Sequence, residues 1–202
     1  MSATPSDSSV GGRKSDRTRE SILDAARIAF ARKGFSGVAI RDITDLSRIN
    51  RASFSYYFRD KTELFVELGT ATYHEVLNIA ESFGEMDDPP TRSAVQRWVE
   101  TYFSYLDRNG AFVIRSFDDA PQDPIFRAAV ARAHVRTAAA LGERIAKLSA
   151  RPPDADPVAL GLSIMAMLDR SWLMVEHNEA PSASRDSVVQ AMSEVITRLL
   201  VD

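Results

Sequence analysis

The apolar positions of this chain recur at three- and four-residue spacing almost from end to end, and no stretch shows the two-residue alternation of a strand. Ile22, Ala26, Ala29 and Phe30 place a buried stripe on a first helix over about 16–33. Gly34 is expected to end it in the left-handed conformation, with Phe35 packing back on the last turn. Ile43 and Leu46 give a short helix near 40–47 one inward stripe, and Phe54 and Phe58 do the same for another near 51–57. Asn50 suits the N-cap of that second short helix, and Ile49 can staple onto Phe54. Asp60 opens a longer helix with a capping box to Glu63. Leu64, Leu68, Val76 and Ile79 carry it to about Phe83, and the loop 84–90 closes it.

Beyond that loop the pattern stays helical. Ala94, Trp98, Tyr102, Tyr105 and Leu106 mark one helix, which Asn109-Gly110 is expected to end. A short helix near 112–117 follows, and Pro121 to Pro124 turns the chain. Phe126, Val130, Ala133, Leu141, Ile145 and Leu148 then run along a helix rich in alanine and arginine, broken at Arg151-Pro152-Pro153. Asp156, with Pro157 at the first helical position, restarts the chain. Residues 160–175 are apolar nearly all round, apart from Gly161, Ser163, Asp169, Arg170 and Ser171, so this helix must be covered on more than one side. Val188, Val189, Met192, Val195, Ile196, Leu199 and Leu200 form a two-column stripe on the last helix. These two helices, about 157–177 and 185–201, either complete the chain's own core or pair with their copies in a second subunit; the expectation is a homodimer. The predicted fold class is all-α with about nine helices.

Charge separates the chain into two parts. Residues 13–65 carry 12 Lys/Arg against 7 Asp/Glu, a net of +5, while the remainder is acidic at −8. A basic first third on an acidic body fits a protein whose N-terminal part alone meets phosphates. Residues 1–12 are Ser, Pro, Gly and Asp with little apolar content and are expected to be disordered, ending in Arg13, Lys14, Arg17 and Arg19. That basic arm is either solvated or reaches a nucleic-acid backbone. The outward face of the 51–57 helix carries Arg51, Ser53, Ser55 and Tyr56, groups suited to a DNA groove. Lys61 sits in the first turn of its helix, where a cation opposes the macrodipole unless an anion such as a phosphate shares the site.

Enzymatic readings find little support. His74, His134 and His177 are scattered, no Gly-rich phosphate loop is present, and with no cysteine there is no disulfide, thiolate or cysteine-ligated zinc. No catalytic residue, metal site or cofactor is expected. With no run of 18 apolar residues and no apolar N-terminal signal region, the chain is expected to be cytoplasmic, associated with the nucleoid and not with a membrane.

The stretch from Lys33-Gly34-Phe35 through Ile40-Arg41-Asp42-Ile43 to Ser53-Phe54-Ser55-Tyr56-Tyr57-Phe58-Arg59-Asp60-Lys61-Thr62-Glu63-Leu64 resembles the tetracycline-repressor (TetR) family of bacterial transcriptional regulators over roughly residues 16–68. The segment Ala166 to Trp172 looks like that family's penultimate, dimer-forming helix. The resemblance implies a three-helix helix–turn–helix head at 15–62, after a tail at 1–14. A long helix joins that head to an all-helical ligand-binding and dimerisation body at 63–202. It implies a homodimer that reads a palindromic double-stranded operator, is most often a repressor, and is released by a small apolar or amphipathic effector. Carried over by position, Arg51, Ala52 and Ser53 face base edges, Ser55, Tyr56 and Tyr57 meet backbone or bases, Lys61 holds a phosphate, and Arg17 belongs to the basic arm.

The chain departs from the family pattern at three places. Arg48 stands where glycine usually makes the turn, Ser55 where tyrosine is frequent, and Val38-Ala39 where a hydroxyl cap is usual, leaving Ser36 or Gly37 to serve as cap. Candidate ligand-pocket residues are Tyr73, Trp98, Tyr102, Phe103, Phe112, Phe117, Phe126, His134, Met165, Asp169 and Trp172. Each aromatic among them is equally suited to plain core. The alternative function is an effector-independent DNA-binding protein regulated by a protein partner.

Overall fold

The computed structural model describes residues 8–151, 154–177, 179 and 182–201, with side chains from Ser15 onward. Among the described residues the elements are α1 (Ser8–Gly37), α2 (Ile40–Ser47), α3 (Arg51–Tyr57), α4 (Lys61–Ser82), a 3-10 turn (Phe83–Glu85), α5 (Arg92–Asp118), α6 (Pro124–Leu148), α7 (Pro157–Glu176) and α8 (Arg185–Val201), with no strand. The all-α expectation holds, with eight α-helices in place of about nine. The chain forms two compact units, one containing Met1–Thr70 with Phe112–Pro121, the other Ala71–Ala111 with Gln122–Asp202. Helices α4 and α5 each contribute residues to both.

The missing helix is explained at Asn109-Gly110. This pair reads as a stop signal, yet α5 runs through it. Asn109 is only 1% exposed and its Nδ2 donates to Glu75 Oε2 at 3.0 Å. A Cβ on Gly110 would lie 2.6 Å from the Trp172 ring. The glycine is there to admit an indole, not to turn the chain. A second difference lies at the start. Helix α1 begins at Ser8, inside the stretch expected to be a disordered tail; residues 1–7 fall outside the described residues, as do the side chains of Arg13 and Lys14.

The head core forms from the predicted stripes. Ile22, Ala26, Ala29 and Phe30 of α1, Ile43 of α2, Phe54 and Phe58 at α3, and Leu64 and Leu68 of α4 are all buried. Phe112 and Asp119 are joined to this unit and not to the body, which moves the boundary from a single cut near residue 62. The Phe112 ring packs 5.3 Å from Phe65 and 6.3 Å from Phe30. Gly34 has φ 70 and ψ 173, so it turns the chain with positive φ but extended ψ, not in the left-handed helical region. Phe35 then stacks on Phe30 as expected, with centroids 6.2 Å apart. A Cβ on Gly34 would meet the Asp119 carboxylate at 2.0 Å.

Leu46 is a correction: it is exposed, and α2 buries Ile43 and Thr44 instead. The hydroxyls of Thr44 and Ser47 donate to Arg41 O and Ile43 O of their own helix, at 3.0 and 2.7 Å, so polar residues can occupy the inward arc.

In the body, α6 and α7 cross with their backbones in contact. A Cβ on Gly142 would lie 1.8 Å from Pro157 O, and one on Gly161 would lie 1.9 Å from Ala138 O. Asp156 caps α7 by accepting from Ala159 N–H at 3.1 Å, with Pro157 at the first helical position, as the sequence predicts. By length and hydropathy α7 is the one described helix apolar enough to cross a membrane. Its glycine crossing, and Asp169 and Arg170 within it, are features of a packed core helix. Only the second half of α6 is buried. From Pro124 to Arg136 the helix is largely exposed, with Ile125 at 78%.

Candidate nucleic-acid interface and interior polar site

Helix α3 is held by its cap and by two rings. Asn50 Oδ1 accepts the Ser53 N–H at 2.7 Å, and Phe54 and Phe58, centroids 6.0 Å apart, point into the core. That leaves Arg51, Ala52, Ser55 and Tyr56 on one exposed face, Tyr56 at 79%, with Ser53 and Tyr57 half-buried at its edges. The Tyr56 and Tyr57 rings meet edge to face at 5.0 Å. No hydrogen bond or ion pair engages the Arg51 guanidinium among the described residues. A cation, a hydroxyl and a phenol stand outward from a short, rigidly seated helix, as groove reading requires.

The turn into α3 is made without glycine. Arg48 has φ 56 and ψ 40, the only positive φ at a non-glycine among the described residues, and both its own N–H and that of Ile49 go to Thr44 O. Holding a residue with a Cβ there costs about 1 kcal/mol relative to glycine. Neither Ser36 nor Gly37 caps α2. The Asp42 carboxylate accepts the Ala39 N–H at 2.9 Å, and it also pairs with Lys33 at 2.6 Å. The Lys33 hydrogen bond, followed by that from Ala39, holds the Asp42 carboxyl below its ordinary range.

Lys61 has an intramolecular account. Its Nζ donates to Phe35 O at 2.8 Å and Val38 O at 3.0 Å and lies 4.6 Å from the Phe35 ring centroid. The ammonium ties down the connection between α1 and α2, so its place in the first turn of α4 does not require a phosphate. Asp60 caps α4 through the N–H groups of Thr62 and Glu63, but the return bond from Glu63 goes to Arg59 N–H at 2.7 Å, not to Asp60. In the basic arm, Arg17 is exposed, whereas Arg19 turns inward to Glu67 at 2.5 Å and over the Phe58 ring. Asp119 was not foreseen. Its carboxylate accepts from Ser36 Oγ at 2.7 Å and from the Ser36 N–H, and those bonds lower its pKa. No local pattern in the sequence pointed to it.

The predicted pocket residues divide between the units. Phe112 and the exposed Phe117 belong with the head, so neither lines a site within the body. Within the body Trp98, Tyr102, Phe103, Met165 and Trp172 are buried; Tyr73, Phe126 and His134 are half-buried, and burial lowers the His134 pKa. Phe83, Trp98, Tyr102 and Tyr105 form a continuous row of rings, each 5.0–5.9 Å from the next. Within the row the Tyr102 hydroxyl donates to Asp169 Oδ1 at 2.9 Å. Desolvation drives the Asp169 carboxyl up to about 6, against the smaller lowering effect of that bond. Burial and then the neighbouring Asp169 charge push both tyrosines above their ordinary range.

Trp172 is tied into the body through a polar bond. Its Nε1 donates to Asp107 Oδ1 at 2.8 Å, and Arg185 clamps the same carboxylate with two bonds at 2.9 and 2.7 Å. Trp98 lines a cleft of about 440 Å³ with Ser82, Glu85, Met86, Asp87, Ala94, Arg97 and Thr101. No cluster of three or more potential metal ligands occurs among the described residues.

Residues 22–68 match the family model described as bacterial regulatory proteins, tetR family. The chain is 33% identical over 104 residues to the HTH-type transcriptional repressor NicS of Pseudomonas putida, covering 52% of this chain and 49% of that one. It thus spans about half the length of the curated relatives it matches. Among solved structures, the TetR-family regulator PfmR of Thermus thermophilus aligns with a TM-score of 0.67 at 19% identity, over 89% of this chain and 95% of that one. NemR of E. coli aligns at 0.62 and 15%, over 89% and 96%. The head, residues 22–68, matches the tetR-family model by sequence, and the whole chain shares the fold of tetR-family regulator structures.

Proposed function

We propose that this protein is a homodimeric DNA-binding transcriptional regulator. In this reading it is a repressor that binds a palindromic operator through α3 and is released by a small amphipathic molecule bound in the body. The observation that carries the reading is α3 itself. Its apolar residues are consumed by the head core, while Arg51, Ser55 and Tyr56 stand exposed in a unit whose first 65 residues are basic. Arg51 is the base reader, since a guanidinium can bond O6 and N7 of guanine together. Ala52 and Ser53 flank it towards base edges, Ser55, Tyr56 and Tyr57 reach backbone or bases, and Arg17 adds a phosphate contact. Lys61 acts behind this surface by fixing the α1–α2 connection.

Dimerisation is supported by apolar side chains that stay exposed on the last two helices. Leu162 on α7 and Val195 and Leu199 on α8 remain more than two-fifths open in the single chain, and burying them against their copies would give a four-helix contact. Two half-sites one helical turn apart then follow from the two-fold axis.

The test is selection of genomic fragments by the purified protein, with light scattering for mass. The reading expects recovered fragments to share an inverted repeat and the protein to run at twice the chain mass. Recovery of unrelated sequences in equal amount would refute it.

A further inference from the structure

The chain that leads from α1 into α2 is held by two residues that belong to neither helix. Asp119, just past the end of α5, takes its donors. The Asp119 carboxylate accepts the Ser36 hydroxyl at 2.7 Å and the Ser36 N–H at 3.2 Å, and the Asp119 carbonyl accepts the Phe35 N–H at 3.3 Å. Lys61 of α4 takes its acceptors, Phe35 O and Val38 O. Gly34 leaves room for the acid, since a Cβ there would lie 2.0 Å from Asp119 Oδ2 and 3.1 Å from Arg115 Nε. The Ser36 hydroxyl bond holds the Asp119 carboxyl below its ordinary range, so these bonds are charge-assisted at neutral pH. All of these residues lie in one compact unit, residues 1–70 with 112–121.

Helix α2 depends on that chain more than α3 does. The reading helix is seated by the Asn50 cap and by two buried rings. Helix α2 has eight residues, buries only Ile43 and Thr44, and starts from Ala39, whose side chain makes no cap bond. In a helix–turn–helix the first helix crosses the DNA backbone while the second enters the groove. Phosphate contacts from one and base contacts from the other must therefore fall in a single register. We propose that Asp119 is a positioning residue for DNA reading: through Ser36 and Phe35 it sets α2 in register with α3. The proposal rests on the regulator reading, to which it adds a residue from outside the helix–turn–helix.

The experiment measures the affinity of the full chain, at one fixed salt concentration, for two duplexes. One is the fragment bound most tightly in the genomic selection, the other a scrambled duplex of the same length and composition. Asp119→Ala should weaken binding to the fragment about tenfold and leave the scrambled duplex within about twofold of the parent. Removing an acid would by charge alone strengthen binding, so a selective fall runs against the electrostatic effect. Ser36→Ala should weaken the fragment about threefold, and should add nothing once Asp119 is alanine, because both act through one bond. Circular dichroism establishes that each variant is folded; if Asp119→Ala does not fold, Ser36→Ala decides alone. A merely structural tie would lower the folded fraction and with it both affinities alike. Equal loss on both duplexes, additive losses, or an unchanged preference in the folded variants overturns the proposal. If the parent prefers no fragment, the regulator reading falls and this inference with it. A parent preference that survives both substitutions refutes this inference alone.

Discussion

Replacing Asp169 with asparagine keeps the side-chain shape and an oxygen for the Tyr102 hydroxyl, and removes only the ionisation. Because burial raises this carboxyl from 3.8 to about 6, the native chain binds a proton here more tightly than the unfolded chain does. Stability must then fall as pH rises between about 4 and 6, and the whole penalty stands above that window. A rise of roughly 2 units corresponds to about 3 kcal/mol, and water at the outer edge of this partly buried group trims it to about 2. Asparagine carries no such penalty. Asp169→Asn should therefore be more stable than the parent by about 2–3 kcal/mol near neutral pH. Its advantage should shrink towards zero at about pH 4. Urea unfolding of both proteins at several pH values measures the difference directly. A gain that does not change with pH, or a variant less stable at neutral pH, would show that the carboxylate is already well served where it sits.

Other expectations concern the head and the helix crossing. Arg51→Ala should cost about 1–3 kcal/mol of operator binding and relax preference at one base position; competition with single-base operator variants reads this, and equal loss on every sequence removes the base-reading role. Lys61→Met should lower head stability by about 1–3 kcal/mol because two partly buried carbonyls lose their charged donor, measured by thermal unfolding. An unaltered melting curve with weaker DNA binding would return the lysine to the phosphate backbone. Arg48→Gly should raise stability by about 1 kcal/mol by relieving the left-handed backbone, and an unchanged midpoint in urea would deny that strain. Gly161→Val should destabilise the body by more than about 3 kcal/mol, since a side chain there meets backbone that cannot yield; native-like unfolding would contradict the backbone contact with α6.

Much of the head was legible because its signals are local. The Asn50 cap, the Phe54–Phe58 pair and the positive φ at Gly34 each follow from a few neighbouring residues. Asn109-Gly110 misled because the same dipeptide serves a turn or a close approach, and only the distant Trp172 decides between them. Lys61 was half legible for a related reason: its helix position suggested an anion, while the carbonyls that hold it in the free chain lie 23 and 26 residues earlier. The interior polar groups were half visible. Asp169 stood out against an apolar helix, and Thr72 and Asn109 sit on the apolar stripes of α4 and α5, four after Leu68 and three after Leu106. That placement is the one trace in the sequence that they face inward.

The uneven burial of α6 changes what its alanines mean. Ala128, Ala129, Ala131 and Ala133 occur in the exposed half, where they contribute little to a core. There the helix is sustained by intrinsic propensity and by its start, where Asp123 Oδ1 accepts the Phe126 N–H at 2.7 Å and Pro124 fixes the first turn. Its second half is bound backbone-to-backbone to α7. One uninterrupted helix should therefore show two populations in amide hydrogen exchange. Amides around 127–135 exchange through local fraying, and those around 138–148 only when the body unfolds. The boundary between them, near Thr137, is the natural place for this helix to yield when the first half is pushed.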